Sequence, residues 1–159
     1  MSRITPFLWF DTEAEEAARF YVSVFPNSRI NKVTRYPRAS EQVSGKRAGT
    51  VMVVAFELDG RPFTALNGGP QFPFTEAVSL VADCETQEEI DRVWDALTAD
   101  GGKPGACGWL KDKYGFSWQV VPVKLLGGLD DPARAERVMA AVMQMTKFDL
   151  ARLQRASEG

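Results

Sequence analysis

Apolar residues along this chain switch between two periods in a fixed order, and the order occurs twice. The first pass opens with an apolar run from Ile4 to Asp11, read as a strand, in which Pro6 marks a sheet edge or a strand start. Spacing then becomes helical: Ala14, Ala17, Ala18, Tyr21, Val24 and Phe25 share one face until Pro26 and Asn27 stop the run. Thr12 with Glu15 three positions on reads as a capping box. Three extended segments follow, Arg29 to Tyr36, Thr50 to Leu58 and Arg61 to Leu66, with a tight turn at Asp59 and Gly60 joining the last two. The stretch from Pro37 to Gly49 is polar and aperiodic and reads as a long loop.

The second pass is shorter. A strand from Ala77 to Ala82 leads to a helix capped by Thr86 and Glu89, with Ile90, Val93, Trp94 and Leu97 facing inward and Gly101 and Gly102 at its end. Ala106 to Lys111 and Phe116 to Val121 read as strands flanking a turn at Lys113 to Gly115. Both helices carry two glutamates, two spacers and an arginine: Glu15, Glu16 and Arg19, then Glu88, Glu89 and Arg92, an offset of 73 residues. An echo at about half the chain length implies duplication of one supersecondary unit, and two such units are expected to share a core. The expected organisation is one domain over residues 1–159, with module one at 1–67, a Gly/Pro linker at 68–76, module two at 77–123 and a helical tail at 131–156. In that tail Asp131 and Pro132 open a helix with Val138, Met139, Val142 and Met145 on one stripe, and a second short helix spans Thr146 to Ala156. The stripe is expected to pack on its own domain, with a dimer contact or a pocket lid as alternatives.

Charge and composition narrow the partners. A net charge of -2 over 159 residues, with signs interspersed, gives no basic face for nucleic acid. Neither a long apolar stretch nor a leader pattern is present, so the expectation is a cytoplasmic protein without a membrane partner. Cys84 and Cys107 are too few for a disulfide scaffold and are read as free thiols.

Strand, helix and strands twice over, together with LWFD, FYVSVFPNS, CGWLKDKYGFSWQVVP and AERVMAAVMQMTKFDLARL, resemble the PhnB-like branch of the vicinal-oxygen-chelate superfamily. That superfamily includes glyoxalase I, bleomycin-resistance proteins and extradiol dioxygenases. The resemblance implies an α+β fold of paired βαβββ modules forming a cupped mixed sheet with C-terminal helices, usually in a homodimer. Members of the branch are often labelled demethylubiquinone methyltransferase-like, which would require a Gly-rich turn after a strand. Gly68-Gly69, Gly101-Gly102 and Gly127-Gly128 do not have that spacing, so methyl transfer is not expected.

The chain contains no histidine. Metal-dependent relatives place ligands near the start of the first strand and on the last strand of each module, which here implies Ile4, Ala77, Thr64 or Leu66, and Gln119. Such a set is too poor in strong donors for a catalytic divalent metal, so no metal and no cofactor are expected. An all-carboxylate site from Glu57, Glu76 or Asp112 is the alternative, although strand-end carboxylates are ordinarily solvated.

Ser79, Ser117 and Gln119, joined by Thr64, are expected to line a cup with Leu8 and Trp109 as its apolar walls, unless the polar groups simply satisfy one another or water. Trp9, Trp94 and Trp118 are assigned to the core. Cys107 and Glu57 are the candidate catalytic groups, against the plainer readings of a structural thiol and a strand-end salt bridge. Arg35, Tyr36 and Lys111 are considered as holders of an anionic group, against a reading as ordinary surface residues. Together these residues suggest a metal-free protein that holds a modest apolar or aromatic compound in a dimeric cup. The alternative is a lyase, isomerase or hydrolase using a carboxylate or Cys in place of a metal, and a third possibility is a vestigial cup on a dimer formed through the tail.

Overall fold

Residues 4–128 and 130–159 are described in a computed structural model of the chain. The chain divides into two compact units, one running to Phe74 and the other from Thr75 to Gly159. The first contains β1 (Phe7–Phe10), α1 (Ala14–Val24), β2 (Arg29–Arg35), α2 (Glu41–Ser44), β3 (Val51–Leu58) and β4 (Arg61–Asn67). The second contains β5 (Leu80–Asp83), α3 (Gln87–Thr98), β6 (Lys103–Pro104), β7 (Trp109–Lys111), β8 (Ser117–Val121) and three further helices, α4 (Val123–Gly127), α5 (Pro132–Val142) and α6 (Leu150–Glu158). The fold is α+β, with two four-stranded mixed sheets ordered β1-β4-β3-β2 and β5-β8-β7-β6. In each, the first strand lies parallel to the last and the remaining pairs are antiparallel. One strand order used twice is the structural counterpart of the sequence echo.

Alternation along the strands decides which face meets the helix. In the first sheet Leu8, Phe10, Val54, Phe56, Phe63 and Ala65 are buried, as are Ala14, Ala17, Ala18, Tyr21 and Val24 of α1. In the second sheet Ala82, Leu110, Trp118 and Val120 play the same part with Ile90, Val93, Trp94 and Leu97 of α3. Each sheet therefore has one packed face and one less buried face.

Several local expectations require correction. Helix α1 has Glu13 at its N-cap and no side-chain cap of its own; the Ala14 N–H donates instead to Asn67 Oδ1 at 2.8 Å. Asn67 is buried, donates from Nδ2 to the Val51 carbonyl at 3.1 Å, and offers its own carbonyl to the Tyr36 hydroxyl at 2.7 Å. One Asn at the end of β4 thus fixes the helix start, and the Thr12 capping box is absent. Helix α3 does form its Thr86–Glu89 capping box. The expected strand from Ala106 is shortened to Trp109 because Cys107 and Gly108 adopt left-handed conformations, φ 56° and 79°. Their N–H groups donate to the Met145 and Thr146 carbonyls of the tail, at 2.8 Å each. A Cβ at Gly108 would lie 2.6 Å from the Phe148 ring and 2.8 Å from the Val120 carbonyl, so only glycine permits this approach.

The tail is thereby fastened to the second unit. Val138, Val142, Met145, Phe148 and Leu153 are buried, while Met139 and Met143 are exposed. Gln87 completes the attachment: its amide donates to the Phe148 carbonyl at 3.0 Å and accepts from the Leu150 N–H at 2.8 Å. Among the described residues no helix is long and apolar enough to cross a membrane.

Candidate functional site

Strand register gathers three of the four candidate polar groups, Ser79, Ser117 and Gln119, on the less buried face of the second sheet, while Thr64 belongs to the first. Trp109 pairs with Gln119, Lys111 with Ser117, and Val81 with Gln119, so Val81, Trp109, Lys111, Ser117 and Gln119 all point the same way. Ser79, two residues before Val81, joins them: the Gln119 Nε2 amide donates to Ser79 Oγ at 2.9 Å. Lys103, directly across from Lys111, closes the row at the sheet edge. Trp109, Lys111 and Gln119 are half-buried and Val81 is exposed.

Ser117 is different. It is 1% exposed, and its Oγ is a buried polar atom with no hydrogen-bond partner among the described residues. A hydroxyl sealed from water without a partner costs about 1–3 kcal/mol, a cost that a ligand atom bonded to it would offset. Beside it, Lys111 Nζ lies 2.5 Å from a carboxylate oxygen of Glu76. That contact, chiefly as a hydrogen bond, holds the Glu76 carboxyl below its usual range.

Leu8 does not belong to this group. It is buried on the helix-facing side of the first sheet, paired with Ala65. The residues of the first sheet's other face are Phe7, Trp9, Thr64 and Leu66, since Phe7 pairs with Thr64 and Trp9 with Leu66. Trp9 is therefore not a packed-core residue, whereas Trp94 and Trp118 are. Its ring lies against Gly68, where a Cβ would come within 2.2 Å of it, its indole N–H donates to the Gly69 carbonyl at 2.8 Å, and Phe72 meets it edge-on at 4.9 Å. Thr64 and Leu8 lie on opposite faces, because the parallel β1–β4 register pairs Thr64 with Phe7 and Leu8 with Ala65.

The candidate catalytic groups are engaged elsewhere. Glu57 accepts from Asn31 at 3.0 Å and pairs with Arg29 at 2.8 Å, a salt bridge at a strand end. Cys107 Sγ lies 3.5 Å from the Val142 carbonyl oxygen and 3.9 Å from Met143 Sδ, contacts that bring it neither a cation nor a base. Burial away from water, with Glu89 and Asp83 nearby, pushes the Cys84 thiol up to about 11. Asp112 is buried rather than solvated: its carboxylate accepts from the Tyr114 and Phe116 N–H groups and from the Trp118 indole at 2.9 to 3.0 Å, which builds the β7–β8 turn. Tyr36 is committed to Asn67, and Arg35 donates to the Gly49 carbonyl at 3.0 Å. Sequence reasoning missed Asn67 altogether; an Asn closing an apolar strand was its only signal.

A model of the family described as 3-demethylubiquinone-9 3-methyltransferase matches residues 2–121. The chain belongs to this PhnB-like family. The PhnB protein of Bacillus cereus is 39% identical over 76% of this chain and 98% of its own, with a TM-score of 0.66. Pseudomonas aeruginosa PA1353 shares the fold at 18% identity, over 76% of this chain and 96% of its own, with a TM-score of 0.58. A glyoxalase/bleomycin-resistance/dioxygenase domain from Frankia is 12% identical over 76% of this chain and 90% of its own, with a TM-score of 0.46. Comparison with proteins of curated function returned no match. Its two βαβββ modules, each closing a four-stranded mixed sheet, are the framework on which this PhnB-like chain carries its candidate site.

The residues present do not fit either group that this family suggests. At the positions corresponding to metal ligands stand Ile4 and Ala77, both exposed, Thr64 or Leu66, and a Gln119 whose amide already bonds Ser79. No group of three or more His, Cys, Asp or Glu side chains suited to a metal exists among the described residues. Strand-to-helix connections run through Asp11 to Glu13 and Cys84 to Thr86, without the glycines that let a nucleotide-like methyl donor approach a helix N-terminus.

Proposed function

We propose that this PhnB-like protein is a metal-free small-molecule-binding protein, working as a homodimer and holding a modest aromatic compound against the polar face of its second sheet. The observation that carries the reading is the Ser117 hydroxyl, buried without a partner in one row with Lys111 and one rung from Gln119 and Trp109. A fold selects against an unpaired buried hydroxyl unless something else bonds it. Trp109 and Val81 supply apolar contact, and the Ser79–Gln119 pair supplies an orienting amide and hydroxyl. Binding alone is a complete function for such a site, since none of these side chains is a strong acid, base or nucleophile at neutral pH.

Native mass spectrometry of gently purified protein tests the proposal. A dimer that retains a small-molecule mass and lacks a stoichiometric metal is the expected spectrum. A stoichiometric divalent metal would overturn the metal-free reading and return the protein to metal-assisted chemistry.

A further inference from the structure

Two cross-strand rungs on the second sheet's less buried face differ in chemistry. The outer rung runs Lys103, Lys111, Ser117 across β6, β7 and β8, and the inner runs Trp109, Gln119, Val81 across β7, β8 and β5. Like charges directly opposite each other on a sheet repel, and Lys103 faces Lys111 with Glu76 the carboxylate on the latter. Glu76 comes from the segment before β5, its side chain is 66% exposed, and exposed ion pairs of this kind contribute little to stability. The outer rung thus offers two lysines and one unpartnered buried hydroxyl, with an exposed carboxylate as the counter-charge. The inner rung offers an indole and a valine, about 7 Å further along the strands.

On the reading that this face binds a small molecule, we infer that its ligand is an aromatic carboxylate. The ligand's carboxylate replaces that of Glu76 at Lys111 and, as the Lys111 side chain shifts to follow it and uncovers the neighbouring strand, accepts from the Ser117 hydroxyl, while its ring lies toward Trp109 and Val81. A carboxylate seated at the outer rung directs an attached ring toward the inner one, about 7 Å further along the strands. A neutral ring would fill the inner rung but leave Ser117 and the paired lysines unimproved. Glu76 then acts as an internal stand-in for the ligand, occupying the cation when the site is empty and leaving it when an external carboxylate arrives.

Amide and indole NMR shifts during titration with benzoate, and separately with benzamide, test this. Benzoate should shift Trp109, Lys111, Ser117 and Gln119 saturably and bind at least ~10-fold more tightly than benzamide, the scale of a hydrogen bond to a charged group. K111M should reduce benzoate to the level of benzamide. E76Q should tighten benzoate by up to ~5-fold by removing the internal competitor. Equal affinity for the two probes, or benzoate binding that ignores K111M, would overturn the carboxylate assignment while leaving a ligand face in place. No shift on this face with benzoate, while native mass spectrometry finds a retained neutral compound, would likewise overturn the carboxylate and leave the binding reading standing. Failure of both experiments would remove both.

Discussion

The two modules share a strand order and differ in what they show on the face away from the helix. In both, that helix-facing side is aromatic and aliphatic: Phe56 stacks on Phe63 in the first, and Phe116 meets Trp118 edge-on in the second. On the other side, the first sheet carries Phe7, Trp9, Thr64 and Leu66, with the Gly68-Gly69 segment and Phe72 against the Trp9 ring. The second carries Lys111, Ser117, Gln119 and Trp109. The two modules thus agree on the face that buries most apolar area, where a change costs several kcal/mol, and differ on the other.

That contrast can be tested in order of expected effect. Phe56→Ala and Trp118→Ala each remove a buried aromatic from the helix-facing side, and each should cost ~4 kcal/mol in urea unfolding. A loss below ~1 kcal/mol at either position would show that the two packed faces are not equivalent. Asn67→Ala should follow, at ~3 kcal/mol, because it strips the α1 cap and the Val51 carbonyl bond from a buried network at once. Thr86→Ala, the corresponding change at α3, should cost only ~1 kcal/mol by the same measurement. Equal losses would mean that the buried Asn does no more than an exposed Thr.

Ser117→Ala should have the opposite sign, a gain of ~1 kcal/mol, since a buried hydroxyl without a partner is removed from the folded state. A loss on thermal or urea unfolding would reveal that Ser117 is already satisfied. Smallest in energy is the contrast between the two thiols. Cys84 stays protonated through neutral and mildly alkaline pH because its pKa is about 11, and its thiolate fraction grows only as pH approaches that value. Native protein at pH 8 should therefore be alkylated by iodoacetamide at the half-exposed Cys107 and not at Cys84, as peptide mass mapping would read. Labelling of Cys84 at a comparable rate would mean that its surroundings open readily.

What was legible in the chain followed from short-range physics. The helical stripes of α1 and α3, the Thr86 capping box, the Asp59-Gly60 turn and the Asp131-Pro132 helix start all depend on residues within a few positions of one another. The grouping of Ser79, Ser117 and Gln119 also came from alternation, a local rule, once the strands were placed. Histidine content and charge needed no structure at all.

Tertiary structure decided whatever depended on register or on a distant partner. Thr64 and Leu8, expected to line one cup, lie on opposite faces of the first sheet because the parallel pairing sets Thr64 beside Phe7 and Leu8 beside Ala65. Asn67 became the cap of a helix 53 positions earlier in the chain, and no local pattern announces a donor so far away. Asp112 became a turn-builder once Trp118 lay over it, and the strand expected from Ala106 was cut short when the tail claimed the Cys107 and Gly108 N–H groups. The orphaned Ser117 hydroxyl is the furthest from the sequence: a serine on a strand is unexceptional until packing seals it from water and leaves it without a partner.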